Sequence, residues 1–149
     1  MFKEAMKNEF EITDLGVLKY FLGIELKEMH GDIFISQEKY ARHILERFKM
    51  QNSKAAPTPT VVGMKLNKED CSKSVYPTLY KSMVEILMYL TTTWPNMMHV
   101  VSLISKFMET PKDSHWQAGK RIIRYVNDTK GFGILYTIAN DFQVGGLYR

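Results

Sequence analysis

Apolar and polar residues alternate along the stretch LKYFLGIELKEMHGDIFISQEKY, which runs from Leu18 to Tyr40. Such a period of two is typical of a β-strand with one buried face. The sequence His30-Gly31-Asp32 predicts a turn, after which the apolar positions resume. The pattern therefore predicts a β-hairpin, whose first strand has Leu18, Tyr20, Leu22, Ile24 and Leu26 on one face and Lys19, Phe21, Gly23, Glu25 and Lys27 on the other.

Gly23 stands in the middle of that predicted first strand. A glycine there weakens a strand because it has no side chain to pack, and it often marks a bulge or the close approach of another backbone. We therefore expect Gly23 to mark one of these two features, beside Phe21 on the same face.

Helical spacing of apolar residues replaces the alternation after Ser36, which we expect to be the N-cap of a helix that ends near Met50. Residues 51–75 lose this periodicity and contain prolines, as a crossing loop does. Further helical stripes follow between residues 76 and 130, and Thr110-Pro111 predicts the start of the last one. The segment GFGILYT predicts a strand, and the tail NDFQVGGLYR is compatible with another.

These elements predict an α+β fold. Its parts are an N-terminal β-hairpin followed by a helix, a Pro-containing loop, a helical bundle of about three helices, and one or two C-terminal strands. We expect the helices to pack on one another and on the apolar face of the hairpin, because a lone hairpin is marginally stable in water. We expect the other strands of the hairpin's sheet to lie upstream of it.

Charge and cysteine content narrow the class of protein only a little. Twenty Lys and Arg against sixteen Asp and Glu give a net charge of +4, which is compatible with a polyanion partner. The single Cys71 allows no internal disulfide and suits a reducing compartment. The sequence shows neither a signal peptide nor an apolar run of membrane-spanning length, so we expect an intracellular protein, cytoplasmic or nuclear, without a membrane partner.

Motifs of catalysis and metal binding are missing from the sequence. It contains no GxSxG, P-loop, HExxH or CxxC motif. Its four histidines are scattered without the spacing of metal ligands, and each is interpreted as a surface or packing residue. We therefore predict no catalytic residue, no metal ligand and no cofactor site.

Basic residues form two groups along the sequence. Lys120, Arg121 and Arg124 lie in the last predicted helix, close to Trp116 and Tyr125. A second group includes Lys39 and Arg42 in the first predicted helix. Such groups can neutralise phosphates while an aromatic ring stacks on a base. An ordinary solvated helix face, with the two aromatic residues in the core, is the alternative that the residues alone favour.

Six blocks of sequence, in a fixed order, resemble the C-terminal part of the reverse transcriptase of copia-type retrotransposons. The blocks are FEITDLGVLKYFLGIEL, GDIFISQEKYARHILERFKM, the PTPT stretch, YPTLYKSMVEILMYLTTTWPN, VVSLISKFMETPKDSHWQAGKRIIRYV and GFGILY. The resemblance implies the end of the palm and a first thumb-like helix in residues 1–50, and a linker in 51–75. It implies thumb- or connection-like helices in 76–130 and the truncated start of ribonuclease H-like strands in 131–149.

The same resemblance bears on activity. Polymerases of this family hold Mg²⁺ with a YxDD motif and an upstream aspartate, and this sequence contains no YxDD motif. It also carries no acid where the first ribonuclease H aspartate would stand. The resemblance therefore implies a retrotransposon-derived fragment that is inactive alone and needs no cofactor.

The alternative function is a nucleic-acid-binding module with weak template–primer contact. The hairpin would support the primer terminus, and the helices would grip an RNA–DNA or DNA duplex through its backbone. The residues expected to make these contacts are Phe21, Gly23, Lys39, Arg42, Lys120, Arg121 and Arg124. Exposed sheet edges are expected to favour self-association.

Some positions depart from the family pattern. Glu85 stands where the family usually has glycine, and Trp94-Pro95-Asn96 stands where it has Arg-Pro-Asp. A charge beside an apolar stripe would disturb close helix packing. We interpret these departures as drift in a sequence that is no longer held to polymerase function.

Overall fold

The computed structural model describes residues 19–29 and 31–137, and the backbone of 144–148. Its fold is α+β, which confirms the predicted class. The strands are β1 (Tyr20–Phe21), β2 (Ile24–Met29), β3 (Asp32–Ser36), β4 (Gly133–Tyr136) and β5 (Val144–Tyr148). The helices are α1 (Glu38–Arg47), α2 (Pro77–Leu90), α3 (Met98–Ser105) and α4 (Asp113–Thr129), and a 3-10 turn at Pro95–Met97 leads into α3.

The strands form one antiparallel sheet in the order β1-β2-β3-β4-β5. Ile35 of β3 pairs with Ile134 of β4, so the segment after the last helix returns to the hairpin's edge. Because β3 pairs with the downstream strand β4, the expectation that its partner strands lie upstream is wrong for the β3 edge of the hairpin. Gly133 allows the close approach, because a Cβ atom there would lie 2.3 Å from the carbonyl oxygen of Ile35.

The first predicted strand is in fact two strands. Tyr20 pairs with Glu25 and Phe21 with Ile24, so the chain reverses within two residues. Those residues, Leu22 and Gly23, have φ angles of 49° and 81°, as a type I′ hairpin turn requires. The expected mid-strand bulge is wrong, and Gly23 is a turn glycine. Leu18 and His30 of the predicted hairpin lie outside the described residues.

The two faces of the sheet differ from the prediction. Glu25, assigned to the polar face, is buried beside Ser36, and its carboxylate accepts the Lys39 backbone N–H at 2.8 Å. This face thus meets the start of α1, whose free N–H groups attract a carboxylate. The opposite, apolar face includes Ile33 and Tyr136, which are 37% and 36% exposed. The expectation that helices cover the apolar face is therefore wrong.

The core lies among the four helices. The core side chains come from all four helices, from the turn before α3 and from the loop after α1. Among the described residues, none of the strand side chains belongs to the buried core cluster. The largest fully buried side chains are Trp94, Tyr80, Ile44, Met83, Leu87, Leu90, Met97, Ile104, Ile122, Ile123, His115 and Gln37. Helix packing, rather than a sheet, thus excludes water from the centre of the described structure.

The departures from the family pattern are accommodated by this packing. Glu85 is exposed on α2, so its charge disturbs no helix contact. Trp94 is buried and donates its Nε1–H to Thr129 Oγ1 at 3.2 Å, while Asn96 donates to the Tyr125 hydroxyl at 2.5 Å. The expected disturbance of packing by Glu85 is wrong, and Trp94 and Asn96 make specific contacts with α4.

Residues 51–75 run along α4 and are bonded to it at several points. The Asn127 side chain donates to the carbonyls of Gln51 and Ser53, and the Ala56 N–H donates to the Arg124 carbonyl. The predicted helix starts shift slightly: Gln37, not Ser36, is the N-cap of α1, and α4 begins at Asp113. Within the described part of the chain, none of the helices is long and apolar enough to cross a membrane.

Candidate nucleic-acid interface

The tip of the first hairpin presents aromatic side chains to solvent. Tyr20 is 51% exposed and Phe21 is 54% exposed. Lys39 of α1 lies with its Nζ 5.2 Å from the centroid of the Tyr20 ring, within the range of a cation–π contact. The sequence-predicted residues Phe21, Gly23 and Lys39 therefore lie at one end of the molecule, which we call the hairpin tip.

The hairpin tip is held against the helices by two tyrosines. Tyr89 of α2 donates its hydroxyl to the Leu22 carbonyl oxygen, inside the turn. Its ring meets that of Tyr40 edge to face, with 5.0 Å between the centroids. Burial raises the pKa of Tyr40 above its ordinary value. These contacts fix where the exposed rings of the tip point.

Arg42 lies one turn after Lys39 on α1. Its Nη2 donates to Glu38 Oε1 at 2.5 Å, one helical turn earlier. This ion pair lowers the pKa of Glu38 and raises that of Arg42. Arg42 also lines a cleft of about 160 Å³ together with Asn127 and Lys130 at the end of α4. A phosphate reaching Arg42 would compete with the Glu38 carboxylate for the guanidinium.

The three basic residues predicted on α4 are largely engaged in contacts within the chain. Lys120 Nζ lies 5.7 Å from the centroid of the Trp116 ring. Arg121 Nη2 donates to Thr58 Oγ1 at 3.1 Å, and Arg124 is half-buried beneath the same loop. Trp116 is itself half-buried, with its ring edge to face with Phe48 of the helical core.

The structure therefore divides the seven predicted contact residues among three places. Phe21, Gly23 and Lys39 are at the hairpin tip, Arg42 lines the α1–α4 cleft, and the other three residues are on α4, where Arg121 bonds to the loop of residues 51–60 and Lys120 lies over Trp116. Their contact with nucleic acid stays a prediction. Tyr125 is buried, as the alternative interpretation of the α4 aromatics expected.

Three of the acidic side chains serve local contacts. Glu25 accepts the N–H of Lys39, and Glu38 pairs with Arg42. Asp70 accepts from the N–H and hydroxyl of Ser72, and hydrogen bonds from Ser114 and Ser72 lower its pKa to about 2. Among residues 19–29 and 31–137, no group of three or more His, Cys, Asp or Glu side chains could hold a metal ion.

His115 has a specific role that the sequence did not reveal. It is 0% exposed, and its Nδ1 accepts the backbone N–H of Lys112 at 3.0 Å. Its Nε2 therefore carries the proton and donates to the Asn67 carbonyl at 3.0 Å. The ring stacks on Phe107 with 3.9 Å between centroids. His115 thus connects the loop at Asn67, the Phe107 ring after α3, and the start of α4. In the sequence, its position in the first turn of a helix was the one signal of this role.

Comparisons with known proteins agree with the resemblance found in the sequence. The model of the reverse transcriptase (RNA-dependent DNA polymerase) family matches residues 1–62. The retrovirus-related Pol polyprotein from transposon RE2 of Arabidopsis thaliana is 34% identical over 141 residues, which are 95% of this chain and 10% of that protein. The corresponding polyprotein from transposon TNT 1-94 of Nicotiana tabacum is 36% identical over 138 residues, 87% of this chain and 10% of that protein.

A third relative is much shorter. An uncharacterized mitochondrial protein of Arabidopsis thaliana is 35% identical over 130 residues, which are 87% of this chain and 53% of that protein. The chain thus spans about a tenth of the length of the two polyproteins and about half of the mitochondrial protein. No solved structure matches the chain.

Proposed function

The chain belongs to the copia-type reverse transcriptase family, and from that premise we propose that it is a supporting part of the polymerase region without catalytic activity of its own. In this proposal the helices α1 to α4 form a rigid body, and the hairpin tip and basic residues are its contact surfaces. The catalytic carboxylates and their Mg²⁺ belong to other parts of a Pol polyprotein.

The use of the acidic side chains is the observation that supports this proposal. Nucleotidyl transfer by two metal ions needs carboxylates that converge on ions about 4 Å apart. Here Glu25 caps α1, Glu38 neutralises Arg42, and Asp70 organises the turn at Ser72. Each of these acids has its own structural task, and among residues 19–29 and 31–137 no group of three or more His, Cys, Asp or Glu side chains could hold a metal ion.

A primer-extension assay tests the proposal. The purified chain, shown to be folded by circular dichroism, is incubated with a labelled DNA primer on an RNA template, the four nucleotides and Mg²⁺. We expect no lengthening of the primer. Template-dependent extension by the chain alone would overturn the proposal.

A second candidate function, weak binding of a template–primer duplex, is favoured by the exposed aromatic rings at the hairpin tip. A base can stack on the exposed ring of Phe21, and Lys39, whose Nζ lies over the neighbouring Tyr20 ring, can meet a phosphate. Because such binding is mostly electrostatic, its affinity should fall steeply as salt rises. The basic residues of α1 and α4 would contribute further phosphate contacts.

Fluorescence anisotropy with an RNA–DNA hybrid tests this candidate. We expect weak binding at low salt and none at physiological salt. At low salt, Phe21→Ala should reduce the affinity severalfold. Tyr76→Ala is the matched control, since Tyr76 is an exposed aromatic residue at the start of α2. Equal losses in the two variants would show that the hairpin tip has no special role, and undetectable binding at low salt would remove the candidate.

We also propose that the chain is intracellular, needs no cofactor of its own, and self-associates weakly through the sheet edges. Among the described strands, β1 and β5 are the outer ones, and an outer strand presents backbone groups that can pair with a second copy. Sedimentation velocity should show a concentration-dependent dimer, and a monomer at all concentrations would refute this. Fractionation of cells that express the tagged chain tests the location, and recovery in the medium would contradict it.

A further inference from the structure

Thr58 lies in the loop segment Pro57-Thr58-Pro59-Thr60, which crosses α4. Its side chain is exposed, and its Oγ1 accepts a hydrogen bond from Arg121 Nη2 at 3.1 Å. The same hydroxyl donates to the Thr60 carbonyl at 2.7 Å. Pro57 and Pro59 restrict the backbone on both sides of this exposed threonine.

Two arginines of α4 lie near this loop segment. Arg121 donates to Thr58 directly, and Arg124, one turn later, accepts the N–H of Ala56 through its backbone carbonyl. The Nε atoms of both arginines are shielded from solvent and have no hydrogen-bond partner among the described residues. A guanidinium has five donors in a planar fork that matches the oxygens of a phosphate group. The pair therefore has unused capacity for an anion at Thr58.

We propose that Thr58 is a phosphorylation site whose phosphate group is received by Arg121 and Arg124. Thr58-Pro59 is the dipeptide that proline-directed protein kinases modify, and its hydroxyl is accessible. The kinase transfers the γ-phosphoryl group of ATP: a bond forms between Thr58 Oγ1 and the γ-phosphorus, and the bond to the β,γ-bridging oxygen breaks. ADP leaves, and the hydroxyl proton passes to the kinase's general base.

The modification would fasten the loop to α4. A phosphothreonine carries a charge of about −1.5 to −2 at neutral pH and three acceptor oxygens. The bond from the Arg121 guanidinium to a neutral hydroxyl is then replaced by bonds in which donor and acceptor are both charged, and a phosphate can accept two such bonds from one guanidinium. The arginines also favour the dianion, so the second pKa of the phosphate falls below its ordinary value of about 6.

Thr110 provides an internal comparison. It is also exposed and followed by a proline, Pro111, but no hydrogen bond joins it to an arginine within the described residues. Both threonines offer the same dipeptide to a kinase. Of these two threonines, only Thr58 has an arginine bonded to its hydroxyl and a second arginine one turn further along the same helix.

The experiment treats the folded full chain with a proline-directed kinase and ATP, and maps the modified residues by mass spectrometry. The phosphoprotein is then titrated by ³¹P NMR, folded and again in urea. We expect Thr58 to be modified in the folded chain, with its second pKa about 0.5–1 unit lower folded than in urea. Arg121→Gln should abolish most of that difference, and Thr58→Val should remove the signal.

Three results would overturn the inference. The kinase could leave Thr58 unmodified in the folded chain, or phospho-Thr58 could titrate identically in the folded and unfolded chain. The difference could also persist in a double variant with Arg121→Gln and Arg124→Gln that circular dichroism shows to be folded. If that variant does not fold, the test is the second pKa of phospho-Thr58 in the chain with both arginines unaltered, compared between the folded state and urea.

Discussion

Replacing His115 by phenylalanine should destabilise the chain through lost hydrogen bonds rather than lost volume. The phenyl ring that H115F introduces can still stack on Phe107, as the imidazole does at 3.9 Å. The backbone N–H of Lys112 and the carbonyl of Asn67 then lose their partner. Both hydrogen bonds are part-buried, so each loss costs about 0.5–1.5 kcal/mol and the two together about 1–3 kcal/mol. That is a measurable share of a typical stability of about 5–15 kcal/mol.

Urea unfolding followed by far-UV circular dichroism measures this loss. His99→Phe is the matched control, because His99 is exposed on α3 and the same exchange there should stay within about 0.5 kcal/mol. Hydrogen exchange adds a local readout, since amides near Asn67 should exchange faster in H115F. A H115F chain as stable as the H99F control would refute the reasoning that His115 fastens the loop to α4.

Three further predictions concern the sheet and one turn. Gly133→Ala should lower the stability of the chain by about 1–3 kcal/mol and speed amide exchange in β3 and β4. Gly131→Ala is the control, because the space around Gly131 is open and neither change is expected there. Equal amide exchange in the two variants would contradict the close approach of β3 and β4. Gly23→Ala should destabilise the hairpin tip by about 1 kcal/mol because φ there is 81°, and unchanged exchange of the tip amides would argue against the turn. Asp70, whose pKa is lowered from 3.8 to about 2, stabilises the fold above pH 3.8, and this contribution should vanish as the pH falls toward 2. Asp70→Asn should flatten that part of the acid-unfolding curve, so superimposable curves would contradict the assignment.

The helices were the part of the fold that local sequence could specify. Their apolar stripes recur at helical spacing, and Pro77 stands at the start of α2 as a proline does in a first turn. The exact ends were harder to predict, because a cap depends on contacts distant in sequence. The N–H of Lys112 bonds to His115, and α4 accordingly begins at Asp113 and not at the Thr110-Pro111 signal.

The faces of the sheet could not be predicted from alternation. A two-residue turn reverses the chain, so Tyr20 shares a face with Glu25 and not with Ile24. Leucine is also rare at a positive φ, which hid the turn at Leu22. The pairing of β3 with β4 joins segments about 100 residues apart, as Ile35 and Ile134 show, and no local pattern records such a contact.

The candidate site was predicted as groups of charge, and the structure separates those groups. Sequence spacing placed Arg121 and Arg124 on one side of a helix, but it could not show that the loop of residues 51–60 lies over that side. The pairing of Arg42 with Glu38 follows from their spacing of four residues, which places such a pair on one helix face. Long-range hydrogen bonds thus decide which charges remain available to a partner.

The central claim is that the chain is a supporting part of the reverse transcriptase region without activity of its own. One measurement tests this claim most directly. An RNA–DNA hybrid with a recessed DNA primer, labelled differently on its two strands, is incubated with the folded chain, nucleotides and Mg²⁺, and both strands are sized on one gel. The account predicts that the primer does not lengthen and the RNA does not shorten. Template-dependent growth of the primer, or cleavage of the RNA within the hybrid, would contradict it.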